Sequence, residues 1–137
     1  MSKSITVNTG EKIEVRNTDG ELMGFFYFNP ADPDLMRRSN EAYSKLTEIL
    51  DKISNKPSTE ELEKVNGEIR QQMAHILGES AANTLFLYNS PLAVMPDGTV
   101  YALYVFDIVC EFIQSEVNAR VDKMQAQVDK YTAKYNK

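Results

Sequence analysis

The spacing of apolar residues along the chain changes near residue 30, from every second position to every third or fourth. The alternating part comprises three segments, SITVN (4–8), KIEVRN (12–17) and ELMGFFYF (21–28). Alternation with a period of two is typical of β-strands, and Gly10 and Gly20 stand where tight turns would join them. The pattern predicts a three-stranded antiparallel meander over residues 1–29. Its uniformly apolar third strand would have both faces covered, with Gly24 as a candidate bulge.

The stretch FYFNPADPDLMRR (26–38) marks the change from strand to helix. Pro30 cannot donate to a β ladder, so it ends the third strand. Asp32 is placed to cap the next helix, Pro33 suits its first position, and Asp34 puts a carboxylate in the first turn, where the helix dipole favours it. We assign these four residues a structural role. Our hypothesis is that they fix the angle between meander and helices and so present the sheet edge to a neighbouring chain.

Apolar residues recur at helical spacing through most of the remaining chain. The predicted helices cover residues 33–53, 58–77 and 79–88, and a loop with two prolines follows over 89–100. Ser58 and Glu61 form a capping-box pattern at the start of the second helix, and Gly78 stands at its end. Residues 30–99 are therefore predicted to form a helical body.

From about residue 100 the pattern is helical to the end of the chain, residues 100–137. Its first part is apolar nearly all round, as expected of a central core helix: Leu103, Val105, Phe106, Ile108, Val109, Phe112 and Ile113. The apolar positions then thin to a heptad seam, which consists of Val117, Val121, Met124, Val128, Tyr131 and Tyr135. Such a helix would be about 50 Å long and would outreach the domain behind it. The seam either folds back on the helix over 33–53 or pairs with another chain, and its six residues are our candidate protein-interaction site.

Composition restricts the function classes. The 137 residues suffice for one α+β domain, 1–137, and a net charge of −5 argues against binding of duplex nucleic acid. The charge is uneven: residues 57–115 carry a net −6 and residues 116–137 a net +2. A solvated face is the commoner reason for such unevenness, and contact between protomers or with a partner is the alternative. No apolar leader or membrane span is visible, so we expect a cytoplasmic protein without membrane contact.

Candidate chemistry is sparse. His75 is the only histidine, and Cys110, the only cysteine, falls in the most apolar helix, where we expect a buried, unreactive thiol. Arg37 and Arg38 form too small a patch for nucleic acid; we expect them to pair with acids on their own helix or with the acidic region of another protomer. No phosphate-binding loop or catalytic pattern occurs. The sequence thus predicts no enzyme, cofactor, metal site or small-molecule substrate.

Two segments together carry a family resemblance: FYFNPADPDLMRR (26–38) and ILGESAANTLFLYNSPLAVMPDGTVYALYVFDIVCEFI (76–113). With the N-terminal meander and the long polar C-terminal helix, their order resembles the small tail-assembly chaperone-like proteins of siphophages and prophages of Gram-positive bacteria. The similarity in order extends along nearly the whole chain, although neither segment is a chemical motif.

The resemblance implies a binding role in the host bacterial cytoplasm. Proteins of this family are thought to coat the tape-measure protein while tail-tube subunits polymerise around it. The implied partners are the tape-measure protein, the tail-tube protein and further copies of the chain in a homo-oligomer. Two other functions stay open: a structural completion or connector subunit of the virion tail, and a small regulatory protein that dimerises through the seam.

Overall fold

A computed structural model describes residues 2–7, 10–29 and 32–135, without the side chain of Tyr135. The chain is α+β, with a two-stranded antiparallel sheet followed by four helices, of which the last is long. The strands are β1 (Glu11–Arg16) and β2 (Leu22–Phe28). The helices are α1 (Asp34–Asp51), α2 (Thr59–Leu77), α3 (Glu79–Leu85) and α4 (Tyr101–Tyr135). The predicted α+β class with a long final helix is confirmed.

β1 and β2 form a hairpin with one face on the core. Ile13 pairs with Phe26, and Phe26 and Phe28 are buried because alternate residues of β2 point inward. Phe25 and Tyr27 point the other way and stay 45% and 46% exposed. The prediction that both faces of this strand are covered is therefore wrong, since the helices pack on one face only.

An irregularity in the hairpin lies beside Gly24. The register shifts between Val15 and Arg16, and Val15 is the residue paired with Gly24. Gly24 also lies against α3: a Cβ atom built on it would stand 2.8 Å from Cγ2 of Thr84. Because Thr84 is β-branched and stiff, the missing side chain at Gly24 allows the sheet to approach the helix this closely.

The first of the three predicted strands is absent from the described part of its segment. Residues 2–7 lie outside any strand, and Ile5 and Val7 are 89% and 70% exposed. The last residue of the predicted segment, at position 8, lies outside the described residues. Two apolar side chains that face no core gain too little to offset the entropy of ordering a strand. The alternating pattern therefore predicted a strand that the described residues do not form.

Local capping defines the helices of the body. The Ser58 side chain accepts the backbone N–H of Glu61 and caps α2. The Glu61 carboxylate accepts from the backbone N–H and hydroxyl of Ser54, at 3.1 and 2.7 Å, so the predicted capping box is half formed. Gly78, at φ +96°, separates α2 from α3. The body thus contains three helices close to the predicted bounds, although α3 ends at Leu85 instead of residue 88.

α4 runs antiparallel to α1. The Tyr43 hydroxyl donates to Oδ1 of Asp107 at 2.8 Å, and the Cys110 thiol lies 3.9 Å from the carbonyl oxygen of Ser39. Later residues of α4 therefore meet earlier residues of α1. The helix has 35 residues, a length of about 50 Å, whereas α1 has 18. The C-terminal part of α4 consequently extends past the beginning of α1.

One buried cluster joins β2 and all four helices. Its fully buried members in the helices include Ala42, Leu46, Ile69, Met73, Ala102, Phe106 and Ile113, and Phe86 joins them directly after α3. α4 contributes to it as far as Val117, which is 2% exposed. The core therefore ends about halfway along α4.

Candidate protein-interaction surfaces

An open apolar groove of about 590 Å³ lies between the hairpin and α4, and we call it the hairpin–α4 groove. On its α4 side are Tyr104, Ile108 and Phe112, which are 44%, 47% and 39% exposed. Ile13 and Val15 of β1 line the opposite side. A row of three large apolar side chains, one per turn, is a surface on which another helix can pack.

Neighbouring aromatic rings, one buried and one partly buried, contact two of the exposed side chains of the groove. Phe112 meets Phe28 edge to face with ring centroids 4.9 Å apart. Tyr104 stacks on Tyr101 at 6.4 Å, and the Tyr101 hydroxyl donates to the carbonyl oxygen of Leu85 at 2.7 Å. Burial raises the pKa of Tyr101, so it stays a hydrogen-bond donor at neutral pH. The groove is therefore formed in the free chain.

Sequence reasoning missed this groove. It assigned Ile108 and Phe112 to the core because α4 is apolar nearly all round, yet both are more than one-third exposed. The helix has one apolar side on the core and a second on the groove. The sequence did contain a sign of this exposed surface. A helix that is apolar on every side needs packing partners on every side, and a chain of this length has few elements to provide them.

The seam of α4 divides into a packed and an exposed part. Val117 is buried and Val121 is partly buried against the core. All residues from 122 to 134 are exposed, including Met124 at 52%, Val128 at 48% and Tyr131 at 65%. The side chain of Tyr135 lies outside the described residues. We call residues 122–135 the α4 tail; its described side chains do not fold back on α1.

The strand–helix junction is organised by carboxylates. Oδ1 of Asp32 accepts the backbone N–H of Asp34 at 3.0 Å, a capping contact, although the regular helix starts one residue later than predicted. Arg37 pairs with Asp34 at 2.6 Å and with Glu41 at 2.7 Å, both on its own helix. Pro30 lies outside the described residues. The acids at this junction thus have local partners.

A second arginine ties the junction to the helical body. Arg38 donates to Asp34 at 3.0 Å and to Asp32 at 3.3 Å, and it reaches the carbonyl oxygen of Ile76 at 3.5 Å. The hydrogen bonds from Arg37 and Arg38 lower the pKa of Asp34 to about 2. Asp34 is therefore ionised at all physiological pH values.

The junction and the seam, two separate predictions from the sequence, meet in space. Pro33 and the seam residues Val117, Val121 and Met124 line one shallow depression of about 370 Å³. The polar residues Arg120, Lys123 and Gln127 line it as well. The α4 tail therefore leaves the body beside the beginning of α1, and the junction borders the base of the tail.

The titratable groups weighed for chemistry have ordinary structural surroundings. Nε2 of His75 lies 3.4 Å from a carboxylate oxygen of Glu41 in an exposed pair. Burial raises the pKa of the half-buried Cys110 thiol to about 11, so it is protonated at neutral pH. Over the described ranges, no three histidine, cysteine or carboxylate side chains are grouped so as to hold a metal ion. None of the helices described is both long and apolar enough to cross a membrane.

A scan of protein-family models, a search of curated proteins and a search of solved structures each found no match to this chain.

Proposed function

We propose that the chain is a non-enzymatic tail-assembly chaperone-like protein of a siphophage or prophage of Gram-positive bacteria. In this function it binds the tape-measure protein and further copies of itself in the host cytoplasm. The observation that carries the proposal is the exposed apolar face of the α4 tail, with Met124, Val128 and Tyr131 beyond the end of the core. The resemblance of segments 26–38 and 76–113 to this family supplies the identity of the client.

The surfaces of the chain suit such a client. A tape-measure protein is long and helical, so its chaperone needs many weak contacts repeated along it. Amphipathic helices pack through apolar residues spaced by three and four, and the α4 tail has this spacing. A chain that also contacts its own copies would hold many such tails along one client, which raises the total affinity without a strong single contact.

Co-expression with the tape-measure protein tests the proposal. We expect the wild-type chain to keep this client in solution and to copurify with it. The double substitution Met124→Glu/Val128→Glu should abolish copurification, because it places charge on the contact face. The matched control, Ala126→Glu/Ala133→Glu, adds the same charge at two exposed positions on the opposite side of the tail and should behave as wild type.

Two results would overturn the proposal. One is a client that stays insoluble and separate from the wild-type chain. The other is the chain itself as a stoichiometric component of purified tails, which would make it a structural completion or connector subunit instead of a chaperone.

A further inference from the structure

We propose that the α4 tail of one copy docks in the hairpin–α4 groove of a second copy. This contact would account for the self-association that is part of the proposed function, and in this respect the inference rests on that function.

The continuity of α4 makes this contact intermolecular. The groove is lined by α4 from Tyr101 to Ile113, and the α4 tail begins at residue 122 of the same unbroken helix. A continuous helix cannot turn back to cover its own side. The tail therefore points away from the groove of its own protomer, and only the groove of another copy can receive it.

The two surfaces match in length and spacing. The α4 side of the groove spans 13 residues, or about 18 Å, and the tail spans 14, or about 20 Å. The tail presents Met124, Val128 and Tyr131 over two turns. The groove presents Tyr104, Ile108 and Phe112 over the same number of turns. The side chains of the two rows are 39–65% exposed in the free chain, and docking one row on the other would remove both from water.

The charges of the two surfaces are complementary. The tail has three lysines against two aspartates: Lys123, Lys130, Lys134, Asp122 and Asp129. Neither acid of α4 lines the groove itself. Asp107 and Glu111, both exposed, stand three residues after Tyr104 and Ile108, on the side of that row towards α1, where Asp107 accepts the Tyr43 hydroxyl. Arg16 on the β1 side is paired with Glu14 and so adds no net positive charge there. Opposite charges on the tail and on α4 would speed the approach of the two chains and favour one register between the two helices.

The contact joins two different surfaces, so each protomer keeps one free tail or groove after pairing with one neighbour. Contacts of this type close into rings or grow into open chains. Self-association would therefore exceed a simple seam-to-seam dimer. A docked tail no longer exposes Met124, Val128 and Tyr131, so the client would compete with the groove for the tails, and the tail at the end of a chain of copies would stay open to the client.

Mixing two defective variants tests this contact. Ile108→Glu damages the groove and keeps the tail, whereas Met124→Glu/Val128→Glu damages the tail and keeps the groove. Each variant alone should lose self-association by roughly tenfold or more in dissociation constant. An equimolar mixture should form a heterodimer of twice 15.5 kDa, because one intact groove meets one intact tail. Sedimentation velocity measures all three samples.

Gln114→Glu and Ala126→Glu are the matched controls, since each adds one negative charge to an exposed position of α4 away from the proposed contact. Both should associate as wild type. Thermal unfolding checks that each variant is folded, and Ile108→Ser replaces Ile108→Glu if the latter unfolds.

Three outcomes would overturn the docking. In the first, Ile108→Glu still self-associates, which means that tails pair with tails. In the second, the mixture of folded variants stays monomeric. In the third, Ile108→Glu no longer binds the tape-measure protein but still self-associates, which means that the groove binds the client. If the mixture associates but the wild-type chain does not bind the tape-measure protein, the contact between tail and groove is retained and only the chaperone function is rejected.

Discussion

The start of α1 shows how single residues organise this chain. Asp32 caps the helix through its side chain, and Asp34 holds two arginines of the same helix, Arg37 and Arg38. All these partners lie within six residues, so the sequence was sufficient to anticipate the cap and the pairing of Arg37. The contact from Arg38 to the carbonyl oxygen of Ile76 spans 38 residues and could not be anticipated.

Replacing Asp34 should change the acid sensitivity of the fold. Arg37 and Arg38 lower the pKa of this carboxyl from 3.8 to about 2. The folded chain therefore binds fewer protons than the unfolded one in this range, and the stabilisation present above pH 4 is lost as the pH falls towards 2. Because the carboxylate is exposed, the effect is modest and screened by salt. In urea titrations, Asp34→Asn should be less stable at pH 7 and should lose less stability between pH 4 and pH 2.

Asp122→Asn makes the same change on the α4 tail and should leave the acid profile of the wild type unchanged. If Asp34→Asn also kept that profile, the ion pairs of Asp34 would contribute nothing to stability.

At the scale of elements, the helices were easier to predict than the strands. α1, α2 and α4 lie within two residues of their predicted starts because caps and helical spacing are local signals. The first predicted strand is absent from residues 2–7, because a strand depends on a partner strand and on a core to face, and Ile5 and Val7 are largely exposed. The α4 seam was recognised as a stripe, but its division at Val121 depends on where the body ends, which no local pattern shows.

The division of the seam predicts a contrast between two valines of one helix. Val117 is 2% exposed and Val128 is 48% exposed. Val117→Ala should lower the free energy of unfolding by about 2 kcal/mol, because it leaves a cavity in the core. Val128→Ala should change it by less than about 0.5 kcal/mol, because the side chain is already in water.

Urea denaturation at low protein concentration measures both variants, and dilution keeps self-association from contributing. If both substitutions lowered the free energy of unfolding equally, the α4 tail would pack on the body in solution, and its exposure would be contradicted.

At the scale of the whole molecule, the chain displays apolar surface at two separate places along one helix. The hairpin–α4 groove lies beside the first part of α4, and the α4 tail leaves the body at the other end. Regional charge was compatible with contact between protomers or with a partner, beside the commoner solvated face, and the seam gave one of the two surfaces. The groove required the structure, since it depends on the separation between the hairpin and α4. Both surfaces present a row of exposed apolar side chains, which is what a partner helix packs against.

The most direct test of this account is the molar mass of the wild-type chain in solution. Size-exclusion chromatography with light scattering, run over a wide concentration series, gives it without any variant. We predict a mass that rises with concentration above the 15.5 kDa of one chain and exceeds that of a dimer at the highest concentrations. A mass of 15.5 kDa at every concentration would contradict the account, because the groove and the α4 tail would then have no affinity for each other.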